Sequence, residues 1–120
     1  MPQLDAQVFE SVVADVIDTI PDVLWARVEN VRIEIEHEAA GDPGLYGRFD
    51  GLPLGQRESW DAMDAPGIIT IFRAPLVRDF GGADPASSAQ LREQIRITVL
   101  HELGHYFGMD ERQLEDLGYA

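Results

Sequence analysis

The sequence predicts an α+β fold, with a small mixed or antiparallel sheet packed on one long helix. Three observations lead there. Residues 31–38 alternate apolar and charged, residues 67–72 form a short unbroken apolar run, and Leu91, Ile95, Val99 and Leu103 recur at helical spacing. At 120 residues, with no internal repeat, low-complexity tract or dividing linker, the chain reads as one domain over residues 1–120.

Residues 4–20 are amphipathic at helical spacing. Val8, Val12, Val16 and Ile20 share one face, which Phe9, Val13 and Ile17 widen, and Pro21 ends the helix. In the strand over 31–38, Val31, Ile33, Ile35 and His37 point one way, and Arg32, Glu34, Glu36 and Glu38 form a wet face. The Gly- and Pro-rich stretch 41–55 reads as a loop. Gly67 to Phe72 reads as a strand buried on both faces, closed off by Pro75 and then Gly81-Gly82. Asp84-Pro85 offers an N-cap and a first-turn proline for a helix running to about Phe107. Gly108 supplies its left-handed stop. A last short helix is expected over 111–117, capped by Asp110, with Gln113 completing a capping box.

The chain carries 22 acidic residues against 9 basic ones, all arginine, for a net charge of −13. Such a surface repels phosphate backbones and anionic headgroups, so neither nucleic acid nor membrane is an expected partner. Without cysteine, disulfides, thiolate metal sites and thiol nucleophiles are excluded. No apolar run is long enough to span a bilayer, and no basic segment followed by an apolar one opens the chain. A cytoplasmic location is the expectation.

Residues 101–105 read His-Glu-Leu-Gly-His on the predicted long helix. Residues four apart present both imidazoles on one face, one turn apart. Two neutral imidazoles so placed can fill two corners of a tetrahedral zinc site. Glu102, rotated about 100° from His101, flanks that site and can accept the proton of a metal-activated water. With 3 His and 10 Glu in the chain, about 0.006 such motifs are expected by chance. The competing reading is a pair of solvated histidines near a helix C-terminus.

The run continues as His101-Glu-Leu-Gly-His105-Tyr-Phe-Gly108-Met-Asp-Glu111. It resembles the extended zincin signature of the metzincin clan. The closest resemblance is to the small bacterial zincin-like metallopeptidase family, a minimal single-domain group. Gly44-Leu-Tyr-Gly, Gly51-Leu-Pro-Leu, the strand Ile68-Ile-Thr-Ile-Phe-Arg and Thr98-Val-Leu leading into the motif carry it over most of the chain from about Val31. The resemblance implies His101 and His105 as zinc ligands and Glu102 as the catalytic base. The third-ligand position holds Glu111 where the clan has His or Asp. Asp110, just before it, has a competing task as a helix cap, so Glu111 is the expected third ligand. A Met turn downstream of the third ligand has no room here, since nine residues follow Glu111.

The expected activity is zinc-dependent hydrolysis of peptide bonds in a peptide or protein substrate, with the metal lowering the pKa of its water toward about 7. The alternative is a metal-binding zincin scaffold without peptidase activity, acting as a structural or interaction module. Elsewhere, His37 reads as a core or rim histidine. Tyr46 and Tyr106 read as packing residues that could also face an oxyanion. Arg48, Arg57, Arg73 and Arg78 read as partners of surface carboxylates or of a substrate terminus, with exposed pairing the default. The strand over 68–72 is either a buried core strand or, as the resemblance implies, an edge strand that pairs with extended substrate.

Overall fold

The computed structural model describes residues 4–28, 30–51 and 67–118. Helix α1 covers Ala6–Asp18, opened by the Asp5 carboxylate, which accepts the Gln7 backbone N–H at 2.8 Å. Its buried face is Phe9, Val12, Val13 and Val16, continued by Ile20. Val8, expected on this stripe, is exposed. Steps of four residues drift about 40° around a helix, and the larger Phe9 occupies the contact that Val8 would have needed. Pro21 ends the segment and caps a one-turn helix, α2 (Asp22–Trp25).

Three strands form a mixed sheet in the order β1-β3-β2, where β1 is Val31–Glu36, β2 is Gly47–Asp50 and β3 is Gly67–Phe72. β1 runs parallel to β3, with Val31 opposite Gly67 and Glu36 opposite Phe72. β2 runs antiparallel to it, with Gly47 opposite Ile71 and Asp50 opposite Ile68. The mixed sheet on a long helix is the expected α+β architecture. The details of the sheet refine the sequence reading. β1 ends two residues early, and His37 is exposed rather than on the apolar face. Its carbonyl accepts the Ala74 N–H at 2.9 Å, and its Nδ1 lies 3.2 Å from Arg73, so the turn into the next element takes the residue out of the ladder. β2 lies inside the stretch read as a loop. Its four residues contain one apolar side chain, so pairing with β3 rather than any local pattern makes it a strand. β3 is the central strand, hydrogen-bonded on both sides, so it is the core strand and presents no free edge.

A further helix, α3 (Arg73–Phe80), follows β3 directly. Pro75, read from sequence as a stop, stands in its first turn, where the missing N–H has no helical partner to lose. Residues 85–87 form one 3₁₀ turn, and Asp84 makes no side-chain cap. Ser88 is the true cap of the long helix α4 (Ala89–Tyr106): its hydroxyl accepts the Leu91 N–H at 3.0 Å and donates to the Phe80 carbonyl at 2.8 Å. The helix therefore starts four residues later than Asp84-Pro85 suggests.

The stripe Leu91, Ile95, Val99 and Leu103 is fully buried and meets α1, α3, β2 and β3. Together with Phe9, Val13, Val16, Ile69, Ile71 and Leu76 it forms the core. α4 ends in a Schellman turn. Gly108 has φ +84°, its N–H donates to the His105 carbonyl at 3.0 Å, and the Met109 N–H donates to Gly104 at 2.9 Å. Helix α5 (Glu111–Asp116) opens with the expected capping box: Asp110 Oδ1 accepts the Gln113 N–H and Gln113 Oε1 accepts the Asp110 N–H, each at 2.9 Å. Among the described residues no helix is long and apolar enough to cross a membrane.

Candidate metal centre

The last two turns of α4 carry His101 and His105. Their Nε2 atoms lie 3.1 Å apart, with the rings edge to face at 4.8 Å between centroids. The Schellman turn at Gly108 reverses the chain, and the first residue of α5 returns to the pair. Glu111 Oε1 lies 3.1 Å from His105 Nε2 and 3.5 Å from His101 Nε2. Ligand atoms 2.0–2.1 Å from a tetrahedral zinc are separated by about 3.3 Å. The three atoms thus form a triangle of the size of one face of that tetrahedron. The Glu111 side chain is 64% exposed and the two imidazoles 21% and 32%. The site is therefore half buried and open on one side.

Glu102 lies on the protein side of the pair, only 6% exposed. Its ligand atom and those of His101 and His105 all fall within 4.8 Å of one another, and these three residues could hold a metal ion. The Glu111 oxygen, at 3.1 and 3.5 Å, also stands within that range of both ring nitrogens, so two carboxylates flank the pair. Burial raises the Glu102 pKa above its ordinary value, and the Glu111 carboxylate adds to this. The two histidines and a hydrogen bond from the Phe49 backbone oppose the rise.

Asp110 is committed elsewhere, since its carboxylate caps α5. An open cleft of about 610 Å³ runs over the site between β2 and the α4–α5 turn, bordered by Arg48, Phe49, Met109 and Glu111. A smaller cavity of about 210 Å³ continues from His101 and Glu102 toward Tyr46, Gln94 and Ile97.

The other residues noted in the sequence have partners of their own. The Tyr46 hydroxyl donates to Asp79 at 2.6 Å and its ring meets Phe80. The Tyr106 ring is fully buried against Phe49 and Phe107. Arg48 pairs with Asp50 and Arg78 with Asp79, both at 2.8 Å, and Arg57 lies outside the described residues. Sequence reasoning missed Phe49, and it had Gly47 only as the end of the Gly44-Leu-Tyr-Gly stretch, without its packing on α4. Gly47 packs directly on α4, where an added Cβ would stand 2.6 Å from Thr98 Cγ2 and 3.5 Å from Glu102 Cγ. The sequence signal for that packing was the glycine itself, within a stretch rich in glycine.

No curated protein matches the chain. Among family models, one described as zincin-like metallopeptidase matches residues 22–119, which takes in all three strands, the His-Glu-Leu-Gly-His helix and the turn that returns Glu111. With most of its length so matched, the chain belongs to the zincin-like metallopeptidase family.

Proposed function

We propose that this protein is a zinc-dependent peptidase, with His101, His105 and Glu111 as metal ligands and Glu102 as general base. The observation that carries the reading is the triangle of His101 Nε2, His105 Nε2 and Glu111 Oε1, with a buried carboxylate beside it. Two imidazoles and one carboxylate are a donor set that suits zinc and leaves a position open for catalysis. When bound there, the metal supplies Lewis acidity, polarising a peptide carbonyl and making water a nucleophile at neutral pH.

The residues of the chain supply the rest. Glu102 takes the proton of the attacking water and delivers it to the leaving amine nitrogen. Its buried position suits this task, because a carboxylate raised above the usual range is a better base. The Phe49 backbone N–H holds the carboxyl in place. The open cleft of about 610 Å³ between β2 and the α4–α5 turn, which includes both histidines and Glu102 in its lining, is the place this reading assigns to the peptide substrate.

The test is Glu102→Gln, assayed for zinc content and for hydrolysis of a peptide library. The variant retains about one zinc per chain and loses hydrolysis by at least about a hundredfold, the scale of general acid–base catalysis. A Gln variant that cleaves as fast as the parent removes Glu102 from the role of base. A zinc-loaded parent that cleaves no peptide leaves a metal-binding module in place of a peptidase.

A further inference from the structure

Glu111 is mostly exposed and reaches the histidines from a helix of only six residues. A short helix with one exposed ligand needs something else to fix it, and α5 has one buried residue, Leu114. Leu114 is completely enclosed and stands one turn after Glu111. It is seated on Gly104, inside the His-Glu-Leu-Gly-His motif. A Cβ built on Gly104 would overlap Leu114 Cδ2 and stand 3.3 Å from Cγ and 3.5 Å from Cδ1. Both methyl carbons of the leucine and the Cγ that bears them crowd that one point, so the missing side chain at Gly104 is the notch that receives it. The Gly104 carbonyl also accepts the Met109 N–H that closes the Schellman turn. The capping box fixes the backbone immediately before Glu111.

We infer that the Leu114–Gly104 seat is a positioning device for metal binding: it docks α5 against α4 so that Glu111 reaches the two histidines. This rests on the reading of Glu111 as third ligand and adds two residues that act through it. Leu114 and Gly104 touch neither metal nor substrate. Their effect is to hold the carboxylate near the imidazoles before any ion arrives, which spares metal binding the ordering of a flexible tail.

The experiment measures zinc affinity by competition with a chromophoric chelator, on the full chain, with thermal melting of the metal-free protein alongside. The variants are Glu111→Ala, Leu114→Ala, Leu114→Met, Gly104→Ala and the double variant Glu111→Ala/Leu114→Ala. Losing a group that orients a ligand costs about 10- to 100-fold in metal affinity. Leu114→Ala and Gly104→Ala each weaken zinc binding by about tenfold or more. Leu114→Met, which keeps the volume, retains most of it. The double variant binds no more weakly than Glu111→Ala alone, because the seat has no other route to the metal. That non-additivity is a readout that general destabilisation of the fold would not give. Should Leu114→Ala fail to fold, Gly104→Ala and its combination with Glu111→Ala carry the same comparison. The inference is overturned if the seat variants bind zinc like the parent, or if their losses multiply with that of Glu111→Ala. If Glu111→Ala itself leaves affinity unchanged, the ligand assignment falls first and the positioning role with it. If only the seat variants are silent, the ligand assignment stands and the positioning role alone is wrong.

Discussion

Gly47→Ala is a one-carbon test of how the sheet meets the site. The new Cβ would stand 2.6 Å from Thr98 Cγ2, where carbon atoms in contact prefer about 3.5–4.0 Å. About 1 Å must open between β2 and α4. The opposite direction is blocked, because the Thr70 carbonyl of β3 would lie 3.3 Å from the same Cβ. Overpacking of this kind costs roughly 1–3 kcal/mol. In a chain of this size that corresponds to roughly 4–12 °C in Tm. Urea unfolding followed by circular dichroism reads it directly. Thr98→Ser is the companion change. It removes the offending methyl and leaves the hydroxyl that donates to the Gln94 carbonyl at 2.7 Å. Alone it opens a small void and costs about 1 kcal/mol; in the Gly47→Ala background it restores stability. The two changes are thus coupled with opposite sign, by roughly 1–3 kcal/mol. Gly47→Ala with parental stability, or a double variant whose losses simply add, would refute the close approach of β2 to α4.

Three further outcomes are expected. Asp110→Ala removes one half of the capping box and costs about 1 kcal/mol, seen as a lowered urea midpoint. Asp79 accepts the Arg78 guanidinium and the Tyr46 hydroxyl, which hold its carboxyl at about 2 against an ordinary 3.8. Because the folded value is the lower one, its contribution is present above about pH 4 and lost as pH falls through about 2. The stability difference between parent and Asp79→Asn at pH 5 therefore closes near pH 2 in paired denaturation curves. Finally, zinc at a hundredfold excess over its Kd stabilises the parent by about 2.7 kcal/mol, raising Tm in a thermal melt, and leaves His101→Ala unmoved.

Elements with a complete local signal were legible in the sequence. The largely buried β3, the stripe of α4, the glycine stop at 108 and the Asp110–Gln113 box each draw their geometry from residues close to one another in sequence. What escaped was decided at long range. β2 is a strand because Phe49 and its neighbours find Ile69 across the ladder, and the sequence around it is that of a turn. α3 was hidden by Pro75, whose meaning depends on whether the helix begins at Arg73 or ends there. Val8 and Val12 are equal in composition, and only the packing of α1 on α4 decides that one faces water. His37 continues the alternation of β1, yet the strand stops at Glu36 and the His37 carbonyl instead accepts the Ala74 N–H at the start of α3, some forty residues away in sequence.

The same distinction runs through the candidate site. His101, Glu102, His105 and Glu111 fall within eleven consecutive residues, and a helix, one glycine turn and one capping box are enough to bring the imidazoles and Glu111 together. That part of the site is local and was readable. The environment of Glu102 is not. Its burial and the hydrogen bond from Phe49 exist only because β2, some fifty residues upstream, lies over α4. The balance that sets the Glu102 pKa, burial raising it and the Phe49 hydrogen bond opposing, therefore depends on the folded sheet, whereas the triangle of His101, His105 and Glu111 is a property of the helix and its turn. A change that loosens β2, such as Gly47→Ala, should accordingly disturb the base while leaving zinc affinity close to that of the parent. A change at Leu114 should do the reverse.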